Sequence, residues 1–398
     1  MIHPLWCIGG ALLTFIGTGS FFAFCPHLIA RHPFVTVYGM ILFYTGYAVL
    51  TDRTHYEPHG WRRVLAKAAW KYLLWGFLLW TAVQLYRSHP LYQRFFPDAL
   101  PFVEDFFRAY LPLGFLYMVL SERFRHSRAN VLGDPVLRLL SLGKLLSAGR
   151  FRRALVRAGG DSYRSFLMGL LLRVHFLPIM LQQVAVANRA LFTRMQDASD
   201  LLAPLAMIAF ITSFALCVDN NNASMGYFWE SNFTRTRFRR VDPFPLHWIV
   251  TLSCYTPFAD LASMFLMSPM YPASGDLLIE GPAFKLVTDL AIMVFTVGYS
   301  LAGTSLAFSW SNLAYKQIQT RGLYGLIRHP GTFCKLSLFG VMIFRHRCSW
   351  EWWVIASWFA WMAVYCARTL CEERFLKTCP EYREYMNRVR WRVIPGIF

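Results

Sequence analysis

The sequence predicts an all-α protein: a polytopic transmembrane helical bundle of about ten spans, ending in a helical hairpin with a cytoplasmic cofactor site. Three observations carry the membrane bundle. Hydrophobic residues make up 56% of the 398 and charged residues only 16%, where a soluble domain carries roughly 25% charge. Aromatics reach 17%, a load that suits lipid contact and belts at the membrane interface. The formal charge is +18, and the excess gathers in alternate loops between apolar stretches. That distribution fits basic cytoplasmic loops and excludes a nucleic-acid-binding reading.

A span needs about 20 largely apolar residues. Such stretches fall at 5–24, 35–50, 68–86, 103–120, 165–187, 200–218, 247–267, 285–308, 331–345 and 350–371. The segment 331–345 is short for a full crossing and reads as a hairpin with 350–371. The N-terminus lacks a basic region and a cleavage site of small residues, so the first segment is expected to stay as a span.

The loops test this list. Residues 121–160 hold Arg123, Arg125, Arg128, Arg138, Lys144, Arg150, Arg152, Arg153 and Arg157 against Glu122 and Asp134. The positive-inside rule places this loop in the cytoplasm. Counting forward, 219–246 is again inside with Arg235, Arg237, Arg239 and Arg240. The loop 268–282 is outside with Asp276 and Glu280, and 309–330 and the C-terminal tail are inside. Counting backward, 51–67 is inside with Arg53, Arg62, Arg63 and Lys67, and so is the N-terminus. Arg345-His346-Arg347 lands outside, against the rule. The division that follows is an N-terminal transmembrane region at 1–120, a basic cytoplasmic loop at 121–160 and a transmembrane core at 161–398. An amphipathic helix from Pro135 to Val156 would lie on the anionic leaflet, although setting topology is enough to explain the charges. The glycosylation-like triplets at Asn222 and Asn232 fall in a cytoplasmic loop, where no glycan is added.

Ionisable groups inside spans are functional candidates. Arg173 and His175 sit in the fifth span, two residues apart and therefore on different helix faces. Glu104, Asp105 and Arg108 start the fourth, and Asp260 and Asp289 lie in the seventh and eighth. Bonding within the bundle accounts for such groups as well as a substrate contact does. No regular series of acids and bases suggests a proton relay, and no paired broken helices suggest an inverted-repeat transporter. P-loop, Gly-x-Gly-x-x-Gly, His-Glu-x-x-His and Gly-x-Ser-x-Gly patterns are absent. The 9 Cys and 11 His show no metal-ligand or redox spacing, so neither a metal nor a disulfide framework is expected.

The last eighty residues differ in kind. Thr320 to Thr332 reads TRGLYGLIRHPGT, an apolar hairpin follows, and the tail from Arg368 concentrates charge and aromatic rings. Arg368 and Glu372, four apart, share a helix face; Glu373 points about 100° away. Pro330 suits a first helical turn, whose backbone N–H groups face an anionic ligand. Basic, acidic, aromatic and helix-terminal groups thus converge at one end of a hairpin, an arrangement suited to a zwitterionic or charged cofactor.

This stretch resembles the C-terminal signature of isoprenylcysteine carboxyl methyltransferases and related phospholipid methyltransferases. The pattern is Gly322-x-Tyr324, Arg328-His329-Pro330, a hairpin, Arg368-x-x-x-Glu372-Glu373, Tyr382-x-x-Tyr385 and Ile394-Pro395-Gly396. The clear resemblance covers about 320–398, extends less distinctly back to the helices from about 165, and does not touch 1–160. It implies a multi-span enzyme using S-adenosyl-L-methionine on a lipid or other hydrophobic acceptor. Cofactor contacts fall on Lys316, Gln317, Ile318, Gln319, Tyr324, Arg328, His329, Pro330, Gly331, Thr332 and Glu372. Arg368 is implied as the substrate arginine. The family usually has Tyr three residues after the His and a small residue, often Gly, two further on; here Thr332, Phe333, Cys334 and Lys335 follow.

Methyl transfer from a sulfonium is an in-line displacement that needs alignment and exclusion of water rather than a metal. A carboxylate acceptor needs orientation, which Arg368 supplies. An amine acceptor must lose a proton, which brings in Glu373 or His329 as base. The residues leave both open. Two other classes compete: a sterol-reductase-like oxidoreductase using NADPH, and a non-enzymatic transporter or scaffold. Either a bacterial inner membrane or the endoplasmic reticulum fits the topology, and the absence of a C-terminal retrieval or lipidation motif favours the former.

Overall fold

The structure, a computed structural model, describes residues 4–24, 33–51, 56–58, 60–126, 135–158, 161–196, 203–229, 238–266 and 276–397. In chain order the elements are α1 (Pro4–Phe24), α2 (Val35–Thr51), β1 (Tyr56–Pro58), α3 (Trp61–Ser88), α4 (Pro90–Phe95), α5 (Ala99–Arg123), β2 (Phe124–His126), α6 (Pro135–Ser147) and α7 (Phe151–Ala158). There follow α8 (Asp161–Gln196), α9 (Pro204–Phe228), β3 (Arg240–Val241), α10 (Pro245–Leu252), α11 (Phe258–Ala262), α12 (Pro282–Leu306), β4 (Ala314–Tyr315), α13 (Pro330–Phe344), α14 (Trp352–Leu376) and α15 (Pro380–Arg388). The architecture is a helical bundle. Its only strands among the described residues are two short antiparallel pairs, β1 with β2 and β3 with β4.

Among the described residues, four helices are long and apolar enough to cross a membrane: α8, α9, α12 and α14. A stretch of α1, Ile8–Thr18, and all of α2 and α13 are apolar but shorter. α3 and α5 are long enough but less apolar; they fold back on each other, with Lys71 of α3 donating to Glu122 of α5 in a buried ion pair. Arg87, Glu104, Asp105 and Arg108 pair with one another at the other end of that hairpin.

One expected span is not a single helix. Its described part, 247–266, holds most of α10, a run of turns, and α11, and each helix is too short to cross. Pro257 lacks an N–H and disfavours helical backbone in the residue before it, and Ser253 to Thr256 supply turn formers. Asp242 fixes the start of this segment: its carboxylate accepts from the Phe244 N–H at 3.0 Å and meets His247 Nδ1 at 2.6 Å. The expected loop from 219 also begins later, because α9 continues to Phe228 with Asp219 and Asn221–Tyr227 buried. Asn222 therefore sits inside a helix, while Asn232, Arg235 and Arg237, like Arg53 and Arg128, lie outside the described residues. The amphipathic segment expected at 135–156 is two helices, α6 and α7, broken at Gly149 with φ +70°.

The basic triplet at 345–347 is neutralised where it stands. Arg345 donates to Asp289 at 2.7 Å, Lys285 donates to the same carboxylate at 2.7 Å, and Arg347 lies 3.3 Å from Glu280. Backbone bonds from Leu278 to Arg345 and from Arg347 to Asp276 close this end of the α13–α14 hairpin.

The N-terminal helices share one apolar core with the rest, running from Phe15 and Tyr44 through Phe102 and Phe176 to Phe308. A buried polar network ties them in. Thr36 of α2 donates to Asn221 of α9 at 2.8 Å. Asn188 of α8 donates to Thr36 at 2.7 Å and to the Pro33 carbonyl at 2.6 Å, and its own carbonyl accepts from Asn221 at 3.2 Å. Asn222 donates to Thr304 of α12 at 3.2 Å and accepts from Tyr44 at 3.3 Å. An unmade buried hydrogen bond costs about 1–3 kcal/mol. Asn188→Leu is therefore expected to lower thermal stability by that order, read as a drop in the melting temperature of the detergent-purified protein.

Candidate functional site

The site forms where α12, α13 and α14 end together beneath the C-terminal segment. α12 stops at Leu306, a short turn runs through Ala307–Ser309, and the chain then crosses the mouth of the helices as an extended strap from Trp310 to Thr320. Three anchors hold the strap. β4 pairs with β3. Lys316, 1% exposed, donates to the Phe308 carbonyl at 3.0 Å and to the Gly226 carbonyl. Gln319 donates to the Ser305 carbonyl and accepts from the N–H groups of Thr320 and Arg321. A Cβ on Gly226 would lie 2.1 Å from the Trp310 carbonyl oxygen, so α9 needs glycine there for the strap to approach. Gly226→Ala must move backbone, and overpacking of this kind costs about 1–3 kcal/mol. The expected result is a less stable protein with weakened ligand binding at the cavity below, measured by thermal unfolding and calorimetry.

The Arg328-His329-Pro330 turn starts α13, and the C-terminal tail locks it. The Arg328 and His329 N–H groups donate to the Trp391 and Arg392 carbonyls at 2.9 and 2.8 Å. Arg328 also donates to the Val389 carbonyl at 3.1 Å. Glu373, 1% exposed, accepts from Arg328 at 2.7 Å and from Arg392 at 3.0 Å, with His329 Nε2 at 3.4 Å. Tyr385 of α15 donates to the Tyr324 carbonyl at 2.7 Å. Burial keeps the phenols of Tyr324, Tyr382 and Tyr385 well above their ordinary titration range, with the nearby carboxylates adding to it. They stay protonated and available as donors.

Between strap, turn and hairpin lies a cavity with about 1090 Å³ of empty space, partly open to solvent. Lys316, Gln317, Ile318, Gln319, Tyr324, Arg328, His329, Gly331, Thr332, Glu372 and Arg368 all contribute to its wall. Pro330 does not; it is buried at the first position of α13. Glu373 does not either, which corrects its expected place at the reacting end: it points behind the wall and holds the turn. The side chains of Lys316 and Gln319 are spent on anchoring the strap. Glu372 is exposed and reaches the cavity. Arg368 donates to the Asn312 side-chain carbonyl, Asn312 donates to Tyr255 at 3.0 Å, and the guanidinium lies 5.4 Å from the Tyr255 ring centre.

Several wall residues carry no sequence signal of their own. Tyr255, Tyr299, Asn312, Lys335 and Tyr365 come from five separate places in the chain. Lys335 had been visible only as a departure from the family pattern. Of the other ionisable groups expected inside spans, Arg173 donates to the Tyr227 carbonyl at 3.1 Å and packs over Phe238, and so serves the bundle. His175 packs against Phe176 and Phe258. No group of three or more metal-ligating side chains occurs among the described residues.

The wall presents groups complementary to a charged ligand. An open carboxylate faces the cavity at Glu372, phenol rings line it, and the Tyr382 hydroxyl is buried on the wall without a hydrogen-bond partner. Such a donor awaits an acceptor. No family model, curated protein or solved structure matches this chain.

Proposed function

We propose that the protein is an integral membrane methyltransferase that uses S-adenosyl-L-methionine and acts on a hydrophobic, membrane-embedded acceptor. The supporting observation is one cavity at the end of apolar helices whose wall joins the strap at 316–319, the Arg328-His329 turn, Glu372 and Arg368. In this reading the chain crosses the membrane about ten times, the seventh crossing being the broken α10–α11 segment. Both termini and the cavity mouth face the cytoplasm, and the surrounding lipids are direct neighbours of the acceptor.

When bound, the cofactor supplies an electrophilic methyl group on a sulfonium. The chain's own residues bind, orient and shield. Glu372 attracts the cationic part of the cofactor through charge-assisted contacts. The tyrosine faces favour a positive charge beside them. Tyr382 donates a hydrogen bond from the wall. Arg368, already oriented by Asn312, aligns the acceptor. Glu373 is a positioning residue: it fixes Arg328 and His329 and does not touch the reacting atoms. Strap and tail together limit water, which strengthens every charge interaction within.

Calorimetry with S-adenosylhomocysteine on lipid-supplemented, detergent-purified protein tests this. Saturable binding, followed by incorporation of a labelled methyl group into a lipid extract, is the expected result. A folded protein that binds neither this ligand nor S-adenosylmethionine overturns the proposal and directs attention to NADPH and then to solute flux.

A further inference from the structure

Among the described residues, none before Tyr255 lines the cavity, and the N-terminal half carries a basic surface of its own. α6 packs against α3 and the start of α8, with Ser141 hydrogen-bonded to Tyr163 at 3.0 Å. It ends in a Schellman turn: the Gly149 N–H donates to the Leu146 carbonyl at 3.0 Å and the Arg150 N–H to the Leu145 carbonyl at 2.9 Å. Gly149 supplies the positive φ this turn requires, +70°. The turn thereby fixes where Arg150 and the first residues of α7 stand.

Arg150, Phe151, Arg152 and Arg153 are all exposed, Phe151 at 63%, and so are Lys144, Leu146 and Val156. The α7 sequence, FRRALVRA, largely segregates apolar residues from arginines around a helix. The surface continues onto the first turn of α3, where Trp61, Arg62 and Arg63 are exposed. No Asp or Glu occurs in 60–71 or 135–158. Among the described residues no ion pair occupies Arg62, Arg63, Lys144, Arg150, Arg152 or Arg153.

We infer that α6, α7 and the start of α3 form a docking surface for anionic phospholipid headgroups, with Leu146 and Phe151 entering the headgroup boundary among the arginines. This rests on the proposed topology, which puts 121–160 beside the cytoplasmic leaflet, and not on the methyltransferase reading. Orientation in the membrane accounts for the charges, but it makes no demand for exposed Leu146, Phe151 and Val156 among them. An interfacial helix on an anionic leaflet needs both. Guanidinium groups pair bidentately with phosphate oxygens. A zwitterionic leaflet offers those phosphates beside its own ammonium groups and with no net charge, so anionic lipid is preferred. Trp61 lies about 10 Å along α3 from the start of the apolar run at 68, in the interfacial layer where Trp is enriched. That position favours lipid over a soluble acidic protein as the occupant.

The test is hydrogen exchange of the full chain in nanodiscs of phosphatidylcholine alone and of phosphatidylcholine mixed with phosphatidylglycerol. Both leaflets of a nanodisc carry the same lipid, so orientation in the cell does not enter the result, and failure of the inference is distinct from failure of the topology. The expected result is exchange of 144–156 slowed at least about tenfold by the anionic lipid. High salt should weaken that effect. The triple variant Arg150→Gln, Arg152→Gln, Arg153→Gln should abolish it, and Phe151→Ser should reduce it. All four side chains are exposed, so both variants should keep the wild-type melting temperature in detergent, which shows that they fold. Equal exchange in the two nanodiscs, or an anionic effect undiminished in either folded variant, overturns the inference. Slowing by dissolved polyglutamate but not by anionic nanodiscs overturns it in favour of an acidic protein partner.

Discussion

Replacing Glu373 with leucine is expected to destabilise the protein more than any other single change at the site. The carboxylate is 1% exposed and bonds Arg328 and Arg392 at 2.7 and 3.0 Å, with Lys377 at 4.0 Å. Arg328 is itself buried. Removing one partner of a buried ion pair strands the other charge and costs about 3–5 kcal/mol. The Arg328 guanidinium would then keep its bond to the Val389 carbonyl but no carboxylate partner among the described residues. The tail and the Arg328-His329 turn should separate, and cofactor binding should fall with them. Thermal unfolding in detergent, paired with limited proteolysis of the C-terminal tail, measures both effects. The double variant Arg328→Met, Glu373→Leu removes the stranded charge and should recover part of the lost stability. Recovery identifies burial of an uncompensated charge as the cause; a double variant as unstable as the single one refutes that account.

The adjacent residue should behave in the opposite way. Glu372→Gln is expected to leave the melting temperature almost unchanged, because the side chain is exposed and no short ion pair holds it among the described residues. S-adenosylhomocysteine binding should weaken about 10-fold to 150-fold, the range of a hydrogen bond to a charged group at about 1.5–3 kcal/mol. Calorimetry gives the affinity and thermal unfolding the stability. A Glu372→Gln protein that binds as tightly as wild type removes this carboxylate from the cofactor site. On the proposed reading the two neighbours divide a binding role from a structural one, and the contrast between them is a stricter test than either variant alone.

The sequence carried the hairpin and the motif order well. Residues 331–345 and 350–371 appear as α13 and α14 within a few positions, because an apolar run bounded by Pro and polar turn formers leaves few alternatives. Helical geometry also separated Glu372 from Glu373 correctly, since 100° per residue is local. It could not say which of the two faced the cavity, because that depends on where Arg328 and Arg392 arrive from. The expected span at 247–267 failed for a related reason. Its mean apolarity is that of a span, yet Pro257 and the preceding turn formers divide it, and packing against α12, α13 and α14 supports the shorter pieces.

What the sequence determined by itself was composition, periodicity and order: a helical, apolar chain, basic segments between its helices, and a C-terminal array of Arg, His, Glu and Tyr in fixed succession. These are local properties, read within a turn or two of helix. The tertiary structure alone decided which groups meet. Tyr255, Tyr299, Asn312, Lys335 and Tyr365 share one cavity only because α10–α11, α12, the strap, α13 and α14 converge at one end. Asn188, Asn221 and Thr36 form one network only because α2 packs across α8 and α9. Burial, charge pairing and unspent hydrogen-bond donors are properties of such meetings, and spacing along the chain does not encode them.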